Sequence, residues 1–400
     1  MIVEIMPSIA KGVIGAPPSK SMAHRLLICG AISEKSTIKG IEFSEDISAT
    51  LDCLRSLGTN VEVSGDCVTL GGLCPEKIAD AVLPCRESGS TLRFFLPLCL
   101  LSDGKKLLKG SERLLERPQD VYKEICTEQG LQFENTRDGI LVSGCLNSGE
   151  YRVRADISSQ FITGLMFALC TKKTDSKITL IGKAESVSYV DLTIKALKDF
   201  GIVIEKCPDG YFIRGGQSFA SREIAVEGDY SNAAFFDALN LLGGDVTVSG
   251  LDENSLQGDR VYKVLFNKLG KCEEIDLSDC PDLAPVLFAL SSIKGKTVFT
   301  GTRRLKIKES DRATAMQQEL SKFGVKLEIE EDKVTVYGGN LSVPTENICG
   351  HNDHRIVMAV SLLCTITGGK ISGAEAVAKS LPDFFSRLSA LNIKLEVYPN

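Results

Sequence analysis

A chain of 400 residues is about two to three times the common domain size, so a single small module is excluded. Hydrophobic residues make up 43% and charged residues 24%, which supplies sizeable cores and excludes disorder along the whole chain. Forty-six basic against 52 acidic residues leave a net charge of −6, which argues against nucleic acid as a partner because neutralising many phosphates calls for a basic excess.

Fourteen cysteines are too dilute in 400 residues for a disulfide scaffold. Cys29, Cys99, Cys170 and Cys364 lie in apolar runs, where a free thiol behaves as a small hydrophobe, and this points to a reducing compartment. No CxxC pair occurs and the histidines are His24, His351 and His354, so a zinc site has little to build from and no metal is expected. The start MIVEIMPSIAKG lacks a signal-peptide pattern, and no apolar run reaches membrane-spanning length. A cytoplasmic protein with no membrane partner is expected.

In chain order, six polar clusters each open an apolar helix-like run. They are SKSMAHRLLICGAIS from Ser19, SGSTLRFFLPLCLLS from Ser88, SSQFITGLMFALC from Ser158, DYSNAAFFDALNLLG from Asp229, PDLAPVLFALSS from Pro281 and NDHRIVMAVSLLCTITG from Asn352. With Lys20, Ser90, Ser159, Ser231, Asp282 and His354 as markers, the separations are 70, 69, 72, 51 and 72 residues. A second series of amphipathic segments stops at Gly58, Gly130, Gly201, Gly270, Gly324 and Asn392, the residue types that end helices. One strand-like stretch separates the two helices, and two alternating stretches follow the second, as in KLEIEEDKVTVYGG.

Each unit therefore reads helix, strand, helix, strand, strand. The fourth lacks room for its closing hairpin, and MIVEIMPSI can complete the sixth from the other terminus. Three units per globule give a middle domain over 20–225 and a second domain combining 1–19 with 226–400. The period is compatible with pure architecture, but every unit places polar residues at the start of its first helix, where unpaired N–H groups and the helix dipole favour anions.

In the first cluster, Lys20, Ser21 and Arg25 lie within six residues, and Ser21 and Arg25 share a helix face suited to a phosphate or carboxylate. Capping and solvated charge explain this cluster equally well. It is not a Walker A loop, since Ser19 and Ile14 stand where that pattern needs glycines. Gly89 and Ser90 sit at a loop-to-helix junction, Arg117 precedes Pro118 at a helix start, and Ser158 and Ser159 can cap the helix carrying Gln160. The richest stretch, RRLKIKESDRATAMQQELSKFG, brings Lys306, Lys308, Glu309, Asp311 and Arg312 to a strand-to-helix transition with Ser310 or Asp311 as its cap. In HNDHRIVMAV, Asp353 can orient the imidazole of His354 beside Arg355, and Lys379 adds a late cation before a helix marked by Pro382.

In their order along the whole chain, PPSKSMAHR, ESGSTLRF, ERPQD, SSQF, EGDYSNAAFF, DLSDCPDLAP, RLKIKESDR, NDHRIVMA and KSLPDFF closely resemble the enolpyruvyl transferase family, in particular the branch acting on 3-phosphoshikimate. The resemblance implies an α/β fold of two domains, each of three βαβαββ units in an inside-out barrel, with the active site in the cleft between them. It implies transfer of the enolpyruvyl group of phosphoenolpyruvate to the 5-hydroxyl of 3-phosphoshikimate, by a monomer that needs no cofactor. Lys20, Ser21, Arg25, Ser158, Ser159, Gln160 and Ser186 match 3-phosphoshikimate contacts, with Tyr189 packing beside that ligand. Lys20, Gly89, Arg117, Gln160, Arg312, Arg355 and Lys379 match the phosphoenolpyruvate side, where glyphosate binds in such enzymes. Asp282 matches the base for the 5-hydroxyl, Lys308 the cation beside it and Glu309 the acid for the methylene carbon, with Lys20 and His354 completing the catalytic set.

Two positions depart from the family pattern, because Glu87 and Arg304 stand where asparagine is common. The relative acting on UDP-N-acetylglucosamine carries asparagine after the first lysine and a cysteine ahead of its RP motif, whereas Ser21 follows Lys20 here and GSERLLERPQD contains no cysteine. A non-catalytic phospholigand-binding protein is the other alternative, and the presence of Asp282, Lys308 and Glu309 argues against it.

Overall fold

The computed structural model describes residues 1–183, 185–271 and 274–399. The six polar clusters do open helices: Lys20–Ile32, Gly89–Cys99, Ser159–Leu169, Tyr230–Leu241, Ala284–Lys294 and His354–Thr367. Five of them start at a residue whose side chain accepts a backbone N–H of the first turn, namely Ser19, Ser88, Ser158, Asp229 and Asp353. The exception is Ala284–Lys294. It grows out of the tight turn Pro281–Leu283 with no side-chain cap, which leaves the Asp282 carboxylate to other partners.

These helices are apolar nearly all round, so they are buried, as a helix without a polar face must be. In Ser159–Leu169 every residue except Gln160 is buried. It packs on Gly89–Cys99 at Gly164, where a Cβ would come within 2.3 Å of both the Arg93 carbonyl oxygen and the Tyr122 hydroxyl. Any side chain at 164 would force the two helices apart.

Among the described residues, five four-stranded sheets share one plan. A strand leading into the first helix lies parallel to the strand that follows it, and a hairpin closes the sheet antiparallel. Ala81–Pro84, Leu101–Lys109, Gly139–Cys145 and Gln132–Asn135 form one such sheet, and Glu150–Arg154, Ser176–Ile181, Gly210–Ile213 and Ile204–Cys207 form another. Glu150–Arg154 alternates exposed and buried residues, the pattern of a sheet with one face on a core and one on solvent. In the sheet of Ser36–Lys39 the leading strand is Glu223–Ala225, from much later in the chain. Among the described residues the fourth repeat shows Lys11–Gly15 paired with Asp245–Ser249 and no hairpin beside them. In the sixth, Ile2–Ile5 lies antiparallel between Gly369–Ser372 and Leu395–Tyr398, so the N-terminal stretch does complete that sheet.

The chain divides into two compact units, one over Pro18–Val226 and the other over Met1–Pro17 together with the residues from Glu227 onward. Each has its own hydrophobic core, centred on residues such as Phe94, Phe161 and Phe167 in the first and Phe288, Phe299 and Met358 in the second. Among the described residues no helix is long and apolar enough to cross a membrane.

Two local expectations change. Pro118 does not open a helix: a short helix, Glu112–Glu116, ends at Arg117, and the next, Asp120–Gln129, begins after Gln119. Ser111 caps the short helix, a signal hidden in GSERLLE. The segment ending at Gly270 is not one long helix but a tight turn, Gly258–Val261, followed by Tyr262–Phe266, and the turn carries Asp259 into the interior.

Candidate functional site

In the unit Pro18–Val226 Lys20, Ser21, Arg25, Gly89, Ser158, Ser159 and Gln160 lie at or within two turns of the starts of the three buried helices, whereas Arg117 and Ser186 come from other segments. Arg25 is buried, one turn into the Lys20 helix, with Nε donating to Thr193 Oγ1 at 2.9 Å, Nη1 to the Ser21 carbonyl at 2.6 Å and Nη2 to the Tyr189 carbonyl at 2.9 Å. Its guanidinium also lies 5.2 Å over the Phe94 ring. Burial lowers it to about 10, so it stays charged at neutral pH. Lys20 Nζ is 2.6 Å from Asp46, a partner that an incoming anion can replace.

Gln160, the half-buried exception in its helix, is clamped at both ends: Arg93 Nη1 donates to Oε1 at 2.8 Å and Nε2 donates to Ser90 Oγ at 3.0 Å. This aligns two helix starts. Arg93, also donating to the Pro118 carbonyl and stacked 4.8 Å over Phe161, was hidden from sequence reasoning inside the apolar run TLRFFLP. Gly89 makes room for Arg117, since a Cβ there would lie 2.5 Å from Arg117 Nη1. Arg117 Nε is buried without a partner among the described residues, as are both amide atoms of neighbouring Gln119. Ser158 caps its helix at Gln160 N, and Ser159 is the first helical residue. Ser186 opens Val187–Asp199 in a left-handed conformation, φ 55°, a strained geometry of the kind that collects at functional sites.

In the other unit the geometry centres on Arg312, only 1% exposed. Its Nη1 reaches Asp282 Oδ1 at 2.7 Å, Nη2 reaches Glu309 Oε2 at 2.7 Å, and Nε reaches Asp353 Oδ2 at 2.9 Å. Lys308 Nζ and Arg355 Nη2 approach the two oxygens of Asp282, each at 3.3 Å. Burial alone would raise the Asp282 carboxyl, but Lys308, Arg355 and Arg312 overcome it and hold the group well below the usual carboxylate range. Burial pulls Lys308 down, helped by Arg312 and by Arg304, and opposed by Asp282 and Glu309. Lys379 donates to the Asn352 carbonyl, two residues ahead of His354.

Asp353 does not hydrogen-bond the His354 imidazole as expected. It stands 3.8 Å from Nδ1, beyond hydrogen-bond distance, while its oxygens accept from Arg312, Ser310 Oγ and the Arg355 N–H. Asp311, rather than Ser310, caps the Arg312 helix. Asp259 is a further buried carboxyl, pushed up to about 7 by burial and by the charge of Asp282, with Arg355 opposing. The QGD stretch offered no spacing signal for it.

His24 gives a stability prediction. A buried residue of the helix Lys20–Ile32 itself, it is 2.7 Å from Thr50 Oγ1, which meets Thr91 Oγ1 at 2.8 Å, and Thr91 meets the cap Ser88 at 2.8 Å. Burial first, then Lys20 and Arg25, lower His24 well below its ordinary 6.5. The folded state therefore refuses a proton that the unfolded state accepts below pH 6.5, and this part of the stability falls as pH drops, by up to about 1.4 kcal/mol per pH unit. His24→Asn should flatten the loss between pH 6.5 and 5. Urea midpoints that fall equally in variant and wild type would disprove it.

The whole chain is similar to known proteins. The family described as EPSP synthase (3-phosphoshikimate 1-carboxyvinyltransferase) matches over residues 6–273 and 263–388. A 3-phosphoshikimate 1-carboxyvinyltransferase of Clostridium kluyveri is 38% identical, with 98% of each chain covered, and one of Clostridioides difficile is 37% identical with the same coverage. A solved EPSP synthase from Acinetobacter baumannii superposes with a TM-score of 0.79 at 22% identity, covering all of both chains, which supports the fold.

Proposed function

The chain belongs to the EPSP synthase (3-phosphoshikimate 1-carboxyvinyltransferase) family, and from that premise we propose that its two cationic clusters act on one pair of substrates. The enzyme transfers the enolpyruvyl group of phosphoenolpyruvate to the 5-hydroxyl of 3-phosphoshikimate and releases phosphate, a step of aromatic amino-acid biosynthesis. The observation that carries the assignment of roles is the network in which Asp282, Lys308, Glu309, Arg312 and Arg355 share charges around a single guanidinium.

In this reading Lys20, Ser21, Arg25, Ser158, Ser159, Gln160 and Ser186 hold 3-phosphoshikimate. Arg117, Arg312, Arg355 and Lys379, with Lys20, Gly89 and Gln160, receive phosphoenolpyruvate. Its phosphate and carboxylate draw Arg312 and Arg355 away from Asp282, which frees that carboxylate and raises its basicity toward the working range. Asp282 takes the 5-hydroxyl proton as oxygen bonds to C2 of phosphoenolpyruvate, and Glu309, released from Arg312 by the incoming substrate and protonated from solvent beforehand, delivers that proton to the methylene carbon, giving a tetrahedral intermediate. Glu309, now ionised, takes a proton back from the methyl group while the bond from C2 to the phosphate oxygen breaks. The proton on Asp282 is available to the departing phosphate. Lys308 and His354 stabilise charge beside these carboxyls.

The defining experiment measures phosphate release by the purified protein with phosphoenolpyruvate and 3-phosphoshikimate. Release with UDP-N-acetylglucosamine instead would overturn the reading. Gly89→Ala should displace Arg117 and raise KM for phosphoenolpyruvate by ~10-fold or more, with KM for 3-phosphoshikimate little changed. An unchanged phosphoenolpyruvate KM would remove Arg117 from the site. Glyphosate is proposed to compete at the same place. The enzyme is further proposed to be monomeric and cytoplasmic, and the burial of cysteines such as Cys29, Cys99, Cys170 and Cys364 as apolar filler supports a reducing compartment.

A further inference from the structure

Glu319 is a buried carboxylate that the chemistry above does not use. Its side chain is 2% exposed, Oε1 accepts from His351 Nε2 at 2.7 Å, and Oε2 accepts from Lys322 Nζ at 2.7 Å and from the Cys349 N–H at 2.8 Å. Burial would raise the group, yet His351, Lys322 and the Cys349 amide keep it below its ordinary value and therefore charged. A buried ion pair is weak evidence for stability, so its use is better sought in what it positions.

Arg312 and Glu319 are seven residues apart on the helix Arg312–Lys322, hence two turns apart on one face. Arg312 grips Asp353 and Glu319 grips residues 349 and 351, so one helix clamps both ends of the corner that leads into the His354 helix. That corner is strained: His351 and Asn352 are consecutive left-handed residues, φ 48° and 51°, and neither is glycine. It is also packed flush, since a Cβ at Gly350 would lie 2.6 Å from Val357 Cγ2 and 2.8 Å from the Gly373 carbonyl. The Asn352 carbonyl is where Lys379 is anchored, and Arg355 begins three residues later.

We propose that Glu319 and His351 are positioning residues for phosphoenolpyruvate binding: the imidazole–carboxylate contact holds the left-handed corner that sets Lys379 and Arg355. The proposal rests on the assignment of those two cations to phosphoenolpyruvate. Losing the contact lets the corner relax toward ordinary backbone angles and carries both cations out of register.

The test is steady-state kinetics at saturating 3-phosphoshikimate and then at saturating phosphoenolpyruvate. His351→Ala should raise KM for phosphoenolpyruvate ~10-fold or more and leave KM for 3-phosphoshikimate within about twofold. His351→Gln, whose amide N–H can reach the same carboxylate, should restore most of the difference. If His351→Ala fails to fold, Glu319→Gln, which turns one acceptor into a donor, should show the same split. Equal phosphoenolpyruvate KM values in wild type and His351→Ala overturn the proposal, as does a rise in both KM values that His351→Gln does not rescue. Arg355→Ala run in parallel separates the premise from the inference: without a phosphoenolpyruvate effect there, the assignment of Arg355 falls and the proposal with it.

Discussion

Replacing Asp282 with Asn is expected to cut phosphate release at saturating substrates by roughly 10²–10⁴-fold, the range for losing a positioned general base. The amide keeps the shape of the side chain and removes its charge and its proton affinity. Lys308, Arg312 and Arg355 then lose the carboxylate they share in the resting protein. With less to give up, they should bind phosphoenolpyruvate at least as well as before, so its KM should stay level or fall. A large loss in kcat without a rise in KM is the signature of a group needed in the transition state rather than for binding. A kcat within threefold of wild type would take Asp282 out of the proton transfer.

The second large effect concerns Arg312→Lys. The guanidinium presents three donors to three carboxylates, Asp282, Glu309 and Asp353, from a position that is 1% exposed. An ammonium keeps the charge but cannot reach all three in one geometry. Asp353 is fully buried, so loss of its ion pair should cost about 3–5 kcal/mol, the range for leaving a buried charge without its partner. Thermal unfolding should show a lower transition for the unit that carries both termini, with the Pro18–Val226 transition unchanged. An unshifted pair of transitions would mean that Ser310 and the Arg355 amide suffice for Asp353.

The repeat was legible because its signals are local. An apolar run behind a Ser or Asp cap reads as a buried helix whatever surrounds it, and alternation reads as a half-buried strand. The candidate residues at helix starts were legible for the same reason, since the anion preference of a helix N-terminus travels with the helix. The partnerships were not. Asp353 serves Arg312 from 41 positions away, and Arg93 clamps Gln160 from 67 positions away. Glu319 stands in QQELSKFG, where its position reads as an ordinary polar helix face until the 347–352 segment is folded over it. Asp259 is buried because the segment that looked like one helix breaks into a tight turn.

The strand Ile2–Ile5 is made long before the strands it pairs with. Both of its neighbours, Gly369–Ser372 and Leu395–Tyr398, come far later, so this strand is synthesised more than 360 residues before either partner exists. Pro18–Val226 meets no such delay, because its own late strand, Glu223–Ala225, closes it long before Gly369–Ser372 is translated. The order of synthesis thus lets the inserted unit complete its fold before the other unit has all of its strands. The N-terminal segment, whose Val3 and Ile5 end up buried in the finished protein, waits through that synthesis for both of its partners.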